Sequence, residues 1–171
     1  LLLVTSIPLT PAFAGDGGGV SLQSESGEGR ALEPVNGVYY ISSAEELREF
    51  AKLVNDDKTD ADAILTANIV LNEKIEVDEN GTVTNKEDLS EWTPIGNEDH
   101  RYSGTFDGAN YTISGLYIDR DANYQGLFGY VSGKVQNLSV SGSVKGKDYV
   151  GGVVGYNSGS VENCYNTGTV T

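Results

Sequence analysis

Asp119-Arg120-Asp121-Ala122-Asn123 sets oxygen-bearing side chains at alternate positions. The spacing copies the first three ligand positions of a calcium-binding EF-hand loop, where hard oxygen donors surround the ion. The rest of the loop departs from that pattern. Its sixth position is Tyr124 where the sharp turn requires Gly, and its twelfth is Tyr130 where a bidentate Glu closes the shell. A polar turn is therefore the reading adopted, with Asp119, Asp121 and Asn123 kept as a weak calcium candidate. The run Asp56-Asp57-Lys58-Thr59-Asp60-Ala61-Asp62 also carries several carboxylates, and it reads as a solvated loop.

Catalytic patterns are sparse. His100 is the one histidine, which excludes His-Glu-x-x-His and Ser-His-Asp arrangements within the segment. Glycoside cleavage needs two carboxylates aimed across a sugar, or a base with charge-neutralising cations. Asp107, Asp119 and Asp121 are the acids in question, with Arg101 and Arg120 near them in sequence. Convergence of Asp119, Asp121 and Arg120 in a deep cleft would favour an enzyme, and their scattering would favour a scaffold. The expectation is no catalytic residue and no cofactor. Tyrosine is more suggestive: Tyr102, Tyr111, Tyr117, Tyr124, Tyr130, Tyr149, Tyr156 and Tyr165 all follow residue 100. An exposed row of them would suit carbohydrate or protein contact. Tyr130 and Tyr156 are the candidate ligand contacts, although a structural ladder is the preferred account of that pair.

These residues are held by a repeat. Gly126-Leu127-Phe128-Gly129-Tyr130, Ser132-Gly133, Val135, Asn137, Gly142 and Val144 return 26 residues later. The second set is Gly152-Val153-Val154-Gly155-Tyr156, Ser158-Gly159, Val161, Asn163, Gly168 and Val170. A period of this length, with short β-type segments and spaced glycines, indicates stacked units, because one unit cannot bury its own apolar face. A looser third copy is read upstream, with Gly104-Thr105-Phe106 set against Gly126-Leu127-Phe128. In the same alignment Ile113 to Ile118 stands against Val135 to Val140. Stacked coils lie about 4.7–4.9 Å apart, so ladders are expected for Tyr130 over Tyr156, Asn137 over Asn163 and Leu138 over Cys164. The fold class predicted is all-β, a right-handed parallel β-helix with an N-terminal capping helix and an inserted β-hairpin.

The Gly126-Leu127-Phe128-Gly129 core, with Ser132-Gly133 and Asn137-Leu138 after it, resembles the GLUG repeat, named for G-L-x-G. Trp92-Thr93-Pro94-Ile95-Gly96 and the segment Gly104 to Leu116 resemble the lead-in found in many GLUG-containing bacterial surface proteins. The second core, Gly152-Val153-Val154-Gly155, departs at Val153. The resemblance covers roughly residues 38–171. It implies a β-helix in a secreted or surface-attached bacterial protein, sometimes an adhesin and sometimes the non-catalytic part of a surface peptidase.

The remaining elements support that picture. Leu1 to Leu9 is an apolar, uncharged stretch followed by Ala12-Phe13-Ala14, the form of a signal peptide cleaved after Ala14. Residues 15–36 read as a flexible linker and 37–171 as the capped repeat domain, with further repeats expected beyond it. Ser43-Ala44-Glu45-Glu46 is a capping box, and Leu47, Phe50, Ala51 and Val54 form one apolar stripe on the helix that follows. Asn80-Gly81 between Ile75-Glu76-Val77 and Thr82-Val83-Thr84 signals a hairpin. A formal net charge of −14 argues against nucleic acid and anionic lipid, both of which require clustered cations. No membrane insertion of the mature chain is expected, and the partner anticipated is an extracellular protein or glycan. The single cysteine, Cys164, excludes an intrachain disulfide framework.

Overall fold

The structure, a computed structural model, describes residues 31–171. The expected signal segment and residues 15–30 of the expected linker lie outside the described residues. Strand β1 (Val38–Ile41) leads into helix α1 (Ala44–Asn55) and then β2 (Asp62–Leu65) and β3 (Ile69–Val70). After an irregular stretch come β4 (Thr105–Asp107), β5 (Thr112–Asp119), β6 (Phe128–Val131) and β7 (Lys134–Lys145). The chain finishes with β8 (Val154–Asn157), β9 (Ser160–Asn166) and β10 (Thr169–Val170). The fold is mostly β with one helix, and the named strands pair in parallel throughout.

The larger sheet is strongly curled because its longest strand changes direction twice. The first part of β7 pairs with β4 and β9, while its last part pairs with β5 and β10. Positive φ at Asn137 (53°) and Gly142 (154°) makes those bends, since Asn and Gly enter that region at least expense. A second sheet consists of β6 and β8, with Ile95 bridging Phe128 on the other side. Phe106, Ile113, Leu116, Phe128, Val135 and Leu138 fill the space enclosed and are almost fully buried.

Helix α1 packs its apolar face into the core of the curled sheet. The Ser43 hydroxyl accepts from the Glu46 N–H at 3.2 Å, while the Glu46 carboxylate accepts from the N–H of Ser42 at 2.7 Å, one residue further back than a capping box requires. The predicted stripe of Leu47, Phe50, Ala51 and Val54 is buried. The Phe50 ring lies 5.7, 6.1 and 6.0 Å from those of Tyr39, Tyr102 and Phe106. Trp92 is buried where the chain rejoins the sheets, and its indole N–H donates to the Leu127 carbonyl at 3.0 Å.

Three expectations need correction. The upstream copy is out of register in the sequence reading: Phe106 pairs with Val135, not Phe128, and Ile113 pairs with Val140, not Val135. The partner of Phe128 is Ile95. The misreading has a physical source. Gly115-Leu116 and Asn137-Leu138 are different corners of the coil, yet each needs a positive-φ residue (71° and 53°) followed by a buried Leu. Second, the Asn80-Gly81 hairpin is reduced to one antiparallel bridge, Val77 to Val83. Glu79 and Asn80 are the central turn residues, closed by Gly81 N–H to Asp78 O at 3.0 Å, and Gly81 alone has positive φ (79°). That is a type I turn with a glycine bulge rather than a two-residue loop. Third, residues 31–36 are tied to the domain: Val35 bridges Val38, and the Leu32 N–H donates to Glu49 at 3.0 Å.

Candidate functional site

The repeat cores Gly126-Leu127-Phe128-Gly129 and Gly152-Val153-Val154-Gly155 lie one above the other. Phe128 pairs with Val154 and Tyr130 with Tyr156, each 26 residues apart (154 minus 128, 156 minus 130). The offset persists through Val135 with Val161 and Leu138 with Cys164. The Asn163 amide donates to the Asn137 side-chain oxygen at 3.2 Å across the same interval. All three expected ladders are therefore present. The Tyr130 and Tyr156 rings are 4.7 Å apart, as the strand spacing dictates. Cys164, half-buried, takes the place of Leu138 one coil on, and burial pushes its thiol upward.

Two tyrosines that the sequence reading did not single out join this ladder. Tyr124 and Tyr149 stack at 5.0 Å with planes 6° apart, and Tyr149 meets Tyr156 edge-on at 5.2 Å. Arg101 lies 4.6 Å over the Tyr130 ring. Their equivalence is hidden because Gln125 bridges Val150, 25 residues on (150 minus 125), so this corner is one residue off the period. A comparison tolerating one insertion before Gly152 reveals it.

The acids do not converge. Asp119 accepts from Lys86 and Lys145, the latter at 3.1 Å, which holds its carboxyl below the usual range. It lines a groove of about 240 Å³ beneath the Asn80-Gly81 turn, together with Tyr117 and the two lysines. Arg120 turns instead to Glu91 at 3.1 Å, and Asp121 is exposed. The Asn123 carbonyl accepts from the Gln125 amide at 2.7 Å. The first ligand of the calcium candidate is thus committed to two ammonium groups. Among the described residues, no three of His, Cys, Asp and Glu gather as a metal site would require. Burial pushes the Asp107 carboxyl up, but this is outweighed by the Ala109 N–H and the Asn137 and Gln136 amides, with Lys134 adding to them, so it too sits low. Those contacts make Asp107 a brace between coils.

A pH dependence follows for Asp119. A depressed carboxylate stabilises the fold above its unfolded pKa of about 3.9, and the contribution is lost as pH falls through the lower folded value. Thermal midpoints should therefore decline below about pH 4. Asp119→Asn should flatten that decline in thermal scans at stepped pH, and an unchanged profile would remove the residue from the account.

Parallel strands that meet their own sequence equivalents one period on define a class: a repeat-built β module. The chain carries the GLUG motif, matched at residues 148–171. The match falls on the copy with Val153 in place of Leu. A Gly-rich membrane protein, so named, of Evansella cellulosilytica is 42% identical over 79 residues, covering 42% of this chain and 9% of that protein. Halomucin of Haloquadratum walsbyi is 38% identical over 104 residues, covering 56% of this chain and 1% of that protein. The chain thus matches less than a tenth of the length of either relative. No solved structure matches it.

Proposed function

We propose that this segment is a non-catalytic scaffold in an extracellular, secreted or surface-attached protein, built as a right-handed parallel β-helix and serving adhesion. The observation that carries the reading is the 26-residue register held through two sheets at once, from Phe128–Val154 to Val140–Asn166. A stack of this kind adds length without changing its cross-section, and it repeats the same side chains along one surface. Such a surface suits a protein or glycan partner. The names and lengths of the relatives support placement within a much longer surface chain. The commitment of Asp119 to two lysines and of Arg120 to Glu91 speaks against polysaccharide processing, since neither group is left to face a substrate.

Beads coated with the purified chain should retain an extracellular protein or polysaccharide from a defined panel without altering it. Release of new reducing ends or unsaturated sugars would move the assignment to the enzyme class. Failure to retain any panel member would remove the adhesive role.

A further inference from the structure

The corner formed by Tyr124 and Tyr149 is conformationally unusual. Both residues have φ in the left-handed region, 60° and 57°. Among the described residues, the other non-glycine residues there are Asn36, Asp57, Ala109, Asn110, Asn137 and Asn163. Asn and Asp tolerate this conformation because short polar side chains hydrogen-bond locally, whereas a bulky aromatic is a true outlier. Strained positions of this kind are held in place by their surroundings and cluster at functional and ligand-binding sites. Here the strain recurs on two successive coils at one corner.

The side chains at that corner face outward. Tyr149 is 50% exposed, and Tyr124 and Tyr156 are half-buried. Among the described residues, Tyr102 is the tyrosine whose hydroxyl donates within the chain, to the Ala61 carbonyl at 2.8 Å. The hydroxyls of Tyr124, Tyr130, Tyr149 and Tyr156 make no such bond. The Arg101 guanidinium covers Tyr130, with its Nε donating to the Glu98 carbonyl at 3.2 Å, so its terminal N–H groups remain available.

We propose that this tyrosine corner binds neutral glycans, by stacking pyranose C–H faces on the exposed rings and hydrogen-bonding sugar hydroxyls to the phenols and Arg101. This rests on the scaffold reading and names the ligand class for it. The chemistry of the corner selects a polyol. Apolar ring faces, hydroxyls that both donate and accept, and a fixed donor fork are the complement of a sugar ring. An acidic ligand is opposed by a chain of net charge −14. A cationic one would compete with Arg101 for the ring it already covers. Affinity at one corner is weak, on the order of millimolar, and successive coils raise it by multivalency.

The test titrates the full chain with cellohexaose, maltohexaose, chitohexaose and mannohexaose, with oligogalacturonate as the acidic comparison. Saturation-transfer NMR and calorimetry provide the readouts. At least one neutral hexasaccharide should bind, with transfer from tyrosine ring protons, and oligogalacturonate should not. Tyr149→Asn keeps a residue suited to positive φ, so it should leave the thermal midpoint within a few degrees and weaken binding at least tenfold. Tyr149→Phe keeps the ring and should fall between the two, while Tyr165→Ala, on an exposed ring outside the corner, should change nothing. Absence of binding by all four neutral probes would overturn the proposal. So would binding indifferent to Tyr149→Asn, or a midpoint that collapses in that variant while binding survives. Retention of a protein partner on beads, with none of the neutral hexasaccharides bound, would leave the scaffold standing and remove the glycan. Cleavage of a bound hexasaccharide would do the reverse.

Discussion

Replacing Phe50 with Asp is expected to unfold most of the domain at room temperature. The ring is fully buried and touches those of Tyr39, Tyr102 and Phe106. Truncating a buried Phe costs about 3–5 kcal/mol. A carboxylate placed in the same aromatic-lined pocket adds a desolvation penalty of several kcal/mol until it takes up a proton. Domains of this size have about 5–15 kcal/mol in total, so the loss consumes a large share of it. Far-UV circular dichroism and a urea titration measure the effect. Lys52→Ala, on the exposed side of the same helix, should stay within about 0.5 kcal/mol. The contrast separates burial of the apolar face from helix propensity. An unshifted urea midpoint in Phe50→Asp would mean that α1 does not anchor the core.

What the sequence made legible depends on how regular the coil is. Between β6–β7 and β8–β9 the offset is 26 throughout, so Tyr130–Tyr156, Asn137–Asn163 and Leu138–Cys164 could be paired by counting. The helix was equally legible, because Leu47, Phe50, Ala51 and Val54 share one face and Ser43 marks its start. Upstream the coils carry insertions of unequal size. Ile95 meets Phe128, Phe106 meets Val135 and Leu116 meets Gly142, so the offset shrinks from 33 to 29 to 26 along a single turn (128 minus 95, 135 minus 106, 142 minus 116). A fixed period cannot follow that drift, and a local likeness between two unlike corners filled the gap. Tyr124 and Tyr149 escaped for the same reason on a smaller scale. Asp119 is divided in this respect: Lys145 lies one period after it (145 minus 119), within reach of counting, whereas Lys86 lies 33 residues before it (119 minus 86), and only the fold brings that lysine in.

Gly133→Ala should be a strongly damaging single-methyl change, through close backbone approach alone. Gly104, Gly133 and Gly159 form a column across three coils. A Cβ on Gly133 would stand 2.2 Å from the Gly104 carbonyl oxygen, and one on Gly159 would stand 2.1 Å from that of Gly133. None of the three has positive φ, so the demand is for close approach rather than for backbone freedom. The opposing atoms are backbone, held in place by the Lys134 N–H to Gly104 O bond at 2.9 Å and the Ser160 N–H to Gly133 O bond at 2.9 Å. Neither can swing aside as a side chain would, so the coils must separate and their ladder bonds lengthen. Overpacking of this type costs about 1–3 kcal/mol and occasionally more. The rigid surroundings place Gly133→Ala near the upper end, about 3 kcal/mol, or a midpoint lower by roughly 10 °C in a domain of this length. Gly81→Ala provides the comparison, with open space around the Cβ but φ of 79°; it should cost about 1–2 kcal/mol through backbone strain alone. Gly159→Ala, whose Cβ would stand as close to the Gly133 carbonyl, should cost a similar amount to Gly133→Ala. If thermal scans rank Gly81→Ala above Gly133→Ala, the backbone approach at Gly133 is not rigid, and the proposed stack loses its main structural support.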